Sequence, residues 1–222
     1  MDVQQELEAL YQKALDLKSR GQVSEADALD SKAASLLHQL KSQIEAEPNS
    51  PATATVLLYL AERDWAILGD HEEVHDQIKR ALEIRQKNYG IDHVLTAEAL
   101  AKWAEVHFLA GRFGDAEALY KQAIPIFEEH GKDSDPVCAK ALEGLAQTLA
   151  ALNRPQEADA YFVRAIDSAG SDDQGKRTLY FLLIYRAEGL EKLSRTAEAE
   201  ALRQKAATLL PKANPGEFGF QA

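Results

Sequence analysis

The sequence predicts an all-α fold, a right-handed superhelical α-solenoid of stacked antiparallel helix pairs. Two observations carry that prediction. The stretch Gly111 to Ile124, G-R-F-G-D-A-E-A-L-Y-K-Q-A-I, recurs at Asn153 to Ile166 as N-R-P-Q-E-A-D-A-Y-F-V-R-A-I. Ala116 falls on Ala158, Tyr120 on Phe162, Ala123 on Ala165 and Ile124 on Ile166, each pair 42 residues apart. A fixed period of this size marks an architecture of stacked repeats, in which one unit cannot bury its apolar face alone. The second observation is that apolar residues recur at helical spacing along nearly the whole chain, interrupted by Gly, Asn and Pro.

Taken in order, residues 2–20 place Val3, Leu7, Leu10, Ala14 and Leu17 on one helical face. Gly21 stops that helix and Ser24 can cap the next, which runs towards Glu47 through Ala26, Ala33, Leu37, Leu40 and Ile44. Pro48-Asn49-Ser50-Pro51 cannot continue it, because proline lacks a donor and biases the preceding residue away from helix. The pairs are therefore expected at 2–47, 52–88, 94–130, 136–169 and 176–210, forming one domain, with a non-helical tail at 211–222. Lys13 and Asp30 make the first pair imperfect, since later repeats are apolar there. Within 53–68 the register is open: Leu57, Leu60 and Ala61 fit the repeat if one extra residue precedes Gly69. Pro125 lies well inside a helix, so a kink or local break is expected there. The recurring alanines let helix backbones approach closely, while Tyr120 and Phe162 fill the space beside them.

Composition narrows the function. The 222 residues are 45% hydrophobic and 27% charged, ordinary for a globular protein. A net charge of −11 disfavours nucleic acid and anionic membrane surfaces, both of which require clustered Lys and Arg. Cys138 is the only cysteine, so no intramolecular disulfide can form and a reducing compartment is the simpler expectation. The start, M-D-V-Q-Q-E-L-E, carries early acid instead of a basic segment followed by an apolar one. The longest apolar runs, around 54–61 and 179–185, are too short to span a bilayer. A cytoplasmic protein is the expectation.

The recurring order of Leu, Trp or Leu, Ala, Gly or Asn, Ala, Tyr or Phe, and Ala resembles the tetratricopeptide repeat family, over roughly residues 53–169 and more loosely at either end. The ordinary repeat of that family is 34 residues. A period of 42, with A-L-E-I-R-Q-K-N-Y-G-I-D-H-V between units, is similar to the longer-helix variant of kinesin light chains. The resemblance implies a non-enzymatic interaction module or adaptor that binds a peptide or helix of a partner in a concave groove. By the same resemblance the first helix of each pair lines the groove, which maps to Glu98, Ala101, Lys102, Glu105 and Phe108, then Lys140, Glu143, Gln147 and Ala150, then Phe181, Ile184 and Glu188. Two departures matter. Kinesin light chains place Asn, which grips a bound peptide backbone, where this chain has Lys102 and Gly144. Lys102 with Lys140 also falls short of the cationic clamp that the family uses for chaperone carboxylates.

The residues offer competing chemistry. His71-Glu72-Glu73-Val74-His75 satisfies H-E-x-x-H, which on a helix could hold zinc with Glu72 as general base of a hydrolase. Its charged surroundings, and Val74 in the place of Ala116 and Ala158, favour a packing role instead. His107 sits where neighbouring repeats have Trp65 and Leu149, and is expected to be a hydrogen-bonded core histidine. Cys138 reads as a buried small residue. No metal or cofactor is expected. Glu98, Glu105, Glu143 and Glu188 could select a basic or amphipathic partner. Tyr180, Phe181, Ile184 and Tyr185 make their helix apolar nearly all round, which fits packing on both sides or an anchor patch for a partner or for Phe218 and Phe220 of the tail. Self-association through the end repeats, as a structural assembly subunit, is the alternative reading.

Overall fold

The computed structural model describes residues 22–131, 136–168 and 173–209, with positions 6, 9, 10, 13, 17 and 20 before them. The first predicted helix, apart from those positions, and the 211–222 tail with Phe218 and Phe220 lie outside the described residues. Nine helices are described: α1 Val23–Ala46, α2 Pro51–Leu68, α3 Glu72–Tyr89, α4 Val94–Leu109, α5 Phe113–Glu129, α6 Pro136–Ala151, α7 Pro155–Asp167, α8 Asp173–Lys192 and α9 Thr196–Leu209. No strand occurs among the described residues. The chain divides into two compact units, Met1–Gly90 and Ile91–Ala222.

In the first unit α2 packs on α3 and α1 on α2. Leu10, Ala33, Leu40, Val56 and Leu60 form one apolar cluster, and Ala54, Leu57, Ala81 and Ile84 another. Helix α2 starts where Ser50 Oγ accepts the Thr53 amide at 3.1 Å and Pro51 occupies the first turn, where a missing donor is harmless. It ends at Gly69, φ 67°, whose amide reaches Trp65 O at 2.8 Å.

The second unit repeats one pattern. Helices α4, α6 and α8 each pack on the following helix, and α5 on α6 and α7 on α8 join the pairs. Ala116, Ala123, Ala158 and Ala165 are buried to within 1% of completely, with Tyr120 and Phe162 beside them, as the alanine spacing predicts. The three first helices end alike. Gly111, Asn153 and Ser194 take φ of 73°, 58° and 60°, and the next amide bonds back five residues: Arg112 N to His107 O, Arg154 N to Leu149 O, Arg195 N to Leu190 O, at 2.8–2.9 Å. At the end of helix α2 the Gly69 amide bonds four residues back, where those of Gly111, Asn153 and Ser194 bond three back, and α2 carries the one extra residue before its glycine. Leu57, Leu60 and Ala61 are 4%, 2% and 1% exposed, so the shifted register holds.

The arginine after two of these turns ties neighbouring second helices together. Arg154 meets Glu117 of α5 at 2.7 Å and Glu157 of α7 at 2.6 Å. One repeat on, Arg195 meets Asp159 of α7 at 3.0 Å and Glu198 of α9 at 2.6 Å. Helix α5 runs through Pro125 to Glu129, and the predicted break does not occur. Pro125 is on the exposed face, where the Lys121 carbonyl left without a donor can be satisfied by solvent.

Candidate functional site

The wall made by α4, α6 and α8 collects most of the groove residues expected from the sequence. Helical spacing puts Glu98, Ala101, Lys102, Glu105 and Phe108 on one stripe of α4, and Lys140, Glu143, Gln147 and Ala150 on one stripe of α6. Helix α6 lies beside α4 on one side and α8 on the other, so these stripes are neighbours.

Between α4 and α6 is a narrow hollow of about 30 Å³, lined by Glu98, Ala101, Lys102, Glu105, Tyr120, Val137, Lys140 and Ala141. Glu105 is its electrostatic centre, 2.8 Å from Lys140 Nζ and 3.3 Å from Lys102 Nζ. Burial works to raise the Glu105 carboxyl, but the two lysines outweigh it and hold the group below the ordinary carboxylate range. Tyr120, from α5, reaches in behind them. A Cβ built on Gly144 would overlap its hydroxyl and Cζ and come within 2.9 Å of Cε2. Burial, with Glu105 and Glu143 nearby, pushes the Tyr120 phenol up.

Between α6 and α8 a second hollow, about 300 Å³, is lined by Phe108, Gln147, Ala150, Phe162, Tyr185, Glu188, Gly189 and Lys192. Its floor is apolar, and Glu188 and Lys192 stand at its lip. Glu143 lines neither hollow but accepts a hydrogen bond from Gln147 Nε2 at 3.1 Å and acts electrostatically on Glu105, Tyr120 and Tyr185. Burial and the charge of Glu105 raise the Glu143 carboxyl over the opposing pull of Lys140. Phe181 and Ile184 line neither hollow. Phe181 is half-buried, its ring 5.3 Å from Tyr180 and 6.5 Å from Tyr185.

The raised carboxyl gives an expected result. The ionised form of Glu143 is disfavoured in the folded state, so the wild type is penalised once pH rises past the ordinary carboxylate range. Glu143→Gln keeps an acceptor for Gln147 and removes the charge. Its urea midpoint should exceed that of the wild type at pH 7, and the gap should close as pH falls to about 4 and below, where both states of the wild type are protonated. A gap that persists at low pH would assign the effect to something other than charge.

Sequence reasoning missed Tyr120 and Tyr185 as parts of this wall. A glycine inside a helix, at a position that is Lys102 in the preceding repeat, was the available signal of a close approach at Gly144. The other candidates resolve differently. His71 precedes α3 and caps it, its Nδ1 accepting from the Glu73 amide at 3.3 Å, while His75 Nε2 lies 2.8 Å from Asp70 Oδ1. The helical H-E-x-x-H face is therefore not formed, because capping claims the first imidazole. Among the described residues no group of three His, Cys, Asp or Glu is placed to hold a metal ion. His107 Nδ1 accepts from Arg112 Nε at 3.0 Å, with Trp103 at 5.8 Å between ring centroids, as a hydrogen-bonded packing histidine. Cys138 is fully buried. Among the described residues no helix is long and apolar enough to cross a membrane.

These features define an all-helical repeat protein whose first helices share a hollowed wall. The tetratricopeptide repeat family model matches at residues 67–129 and 95–171, so this stretch of the chain carries tetratricopeptide repeats. Solved structures share the fold over nearly all of it. BtubC (BKLC) from P. vanneervenii is similar with a TM-score of 0.71 at 16% identity, covering 100% of this chain and 94% of that one. The nearly identical TPR-like repeats of a Podosopora anserina kinesin-light-chain-type protein give 0.65 at 18%, covering 94% and 96%. Pseudomonas aeruginosa PilF gives 0.59 at 15%, covering 95% and 79%. No curated protein matches the chain significantly. Tetratricopeptide repeats serve as protein-interaction scaffolds and are typically non-enzymatic.

Proposed function

We propose that this protein is a non-enzymatic adaptor whose α4, α6 and α8 wall binds a peptide or helix of a partner protein. The observation that carries the reading is the second hollow. It is an open, apolar-floored recess with a polar lip, bordered by side chains from three consecutive repeats. Such a recess accepts an apolar anchor of an extended or helical segment, and hot spots of this kind dominate peptide recognition. Phe108 and Ala150 supply contact area, while Gln147 and Glu188 set orientation. The narrow hollow near Glu105 adds an ion-paired shoulder, where Glu98, Ala101, Lys102 and Lys140 meet the same segment.

Affinity capture with the tagged full chain, read by mass spectrometry, tests this. Ala150→Arg projects a long side chain into the recess, whereas Gln122→Arg on exposed α5 adds the same charge elsewhere. The principal partner should fall at least about tenfold with the first variant and stay with the second, as expected when a central contact worth over about 1.4 kcal/mol is lost. A captured set indifferent to Ala150→Arg would remove the wall from the function.

A further inference from the structure

The wall has an uneven charge distribution, and the unevenness names the chemistry of what it binds. On the α4 side Glu105 engages both lysines, Lys140 at 2.8 Å and Lys102 at 3.3 Å. On the α8 side the arginines are also engaged: Arg186 Nε with Asp159 at 2.6 Å, and Arg203 Nη2 with Glu191 at 2.8 Å. Glu188 lines the α6–α8 recess beside Tyr185, and Glu143 is hydrogen-bonded to Gln147 of the same lining; Lys140 acts on Glu143 and Arg203 on Glu188 through space. Both carboxylates, added to burial, push the Tyr185 phenol up, so both bear on the same ring. Glu143 has a neutral amide, Gln147, as its hydrogen-bond donor.

Directly beside this pair of acids lies the recess of about 300 Å³ with Phe108, Phe162 and Ala150 on its floor. An apolar cavity of about 150 Å³ accommodates a benzene ring, so an aromatic side chain has room here. A cation next to that ring would meet two carboxylates and the face of Tyr185, which is favourable by both Coulomb attraction and the ring quadrupole.

Resting on the reading of this wall as a partner-binding surface, we infer that its ligand is a protein segment pairing a large apolar side chain, seated in the recess, with an adjacent arginine or lysine held between Glu143 and Glu188 over Tyr185. Lys192 lines the same recess one turn beyond Glu188 and disfavours a second cation at that end. An acidic neighbour to the apolar anchor would meet Glu143 and Glu188 and be rejected.

The probe is the capped peptide Gly-Ser-Phe-Arg-Ser-Gly, titrated into isotope-labelled full-length chain and followed by backbone amide shifts. Shifts should concentrate on 143–150 and 185–192. Replacing the peptide arginine by glutamate, or its phenylalanine by alanine, should weaken binding by about tenfold each. In the chain, the double variant Glu143→Gln with Glu188→Gln should abolish the preference for arginine over glutamate while leaving the phenylalanine dependence. Ala150→Trp should fill the recess and remove the phenylalanine dependence. Equal binding of the arginine and glutamate peptides, or shifts lying elsewhere, overturns the inference. So does the absence of any shift with every probe. If that happens while Ala150→Arg still abolishes partner capture, the wall binds a partner of other chemistry and only this inference falls. If the unliganded chain instead shows a doubled mass in light scattering that Ala150→Arg returns to monomer, the occupant is a second copy and the inference fails.

Discussion

Phe162→Ala should destabilise the chain by about 3–5 kcal/mol, the largest single-residue effect expected here. Phe162 is 1% exposed, on α7 between the fully closed alanines Ala158 and Ala165, and its ring forms part of the floor of the α6–α8 recess. Truncation removes the transfer energy of a whole ring. The close helix approach set by the two alanines leaves little freedom to collapse around the gap. For a chain of this length such a loss lowers the melting temperature by roughly 6–20 °C, measurable by circular dichroism or calorimetry. Phe162→Leu, which retains most of the volume, should cost less than about 1.5 kcal/mol. A truncation cost under about 1 kcal/mol would mean that α7 is not anchored on α6 and α8 through this ring.

Phe162 matters to binding as well as to stability. Its ring closes the recess from below, so the alanine variant deepens the recess while loosening α8 against α7. Any change in partner affinity must therefore be compared with Ala150→Arg, which fills the recess from α6 and leaves the Phe162 ring in place.

The helix boundaries were legible because their determinants are local. Where a pair was expected at 94–130 the helices are Val94–Leu109 and Phe113–Glu129, and where one was expected at 136–169 they are Pro136–Ala151 and Pro155–Asp167. Gly111, Asn153, Pro136 and Pro155 impose their backbone requirements whatever surrounds them. Even the odd residue before Gly69 is explained by a different helix ending. Pro125 does not break α5, and its place on the exposed face is not legible in the sequence. His71 was ambiguous for a similar reason. The same imidazole can ligate from a helix or cap it from outside, and the difference is a backbone angle. The stripes on α4 and α6 were expected from the family resemblance, whereas the partition of charge within them was not legible in the sequence. That Glu105 takes both lysines, leaving Glu143 to burial, depends on the distance between helices and not on their sequences. Phe181 and Ile184 followed the stripe of α8 but fell outside both hollows, because Tyr185, one residue on, occupies the edge facing α6.

Gly144→Ala should destabilise, although the usual effect in a helix interior is the reverse. Gly144 lies in the middle of α6, where alanine is intrinsically favoured by about 1 kcal/mol. Its missing Cβ is the space that Tyr120 occupies: the built atom overlaps the phenol hydroxyl and Cζ and stands 2.9 Å from Cε2. Tyr120 is 3% exposed, so its ring cannot swing aside without displacing the α5 packing. Overpacking of this kind costs about 1–3 kcal/mol, which exceeds the propensity gain and leaves a net loss. Gly144→Asn, the residue that kinesin light chains place here, is larger and should lose more. The neighbouring repeat solves the same problem in the opposite way. Position 185 is a tyrosine and the residue from the preceding second helix is Phe162, without a hydroxyl. Tyr120→Phe should therefore rescue Gly144→Ala in part only, since Cζ and Cε2 remain in the way. Urea midpoints of the two single variants and the double variant measure this coupling directly. If Gly144→Ala proves stabilising by the ordinary helical amount, Tyr120 does not fill this part of the wall, and the space for a peptide-gripping side chain is open after all.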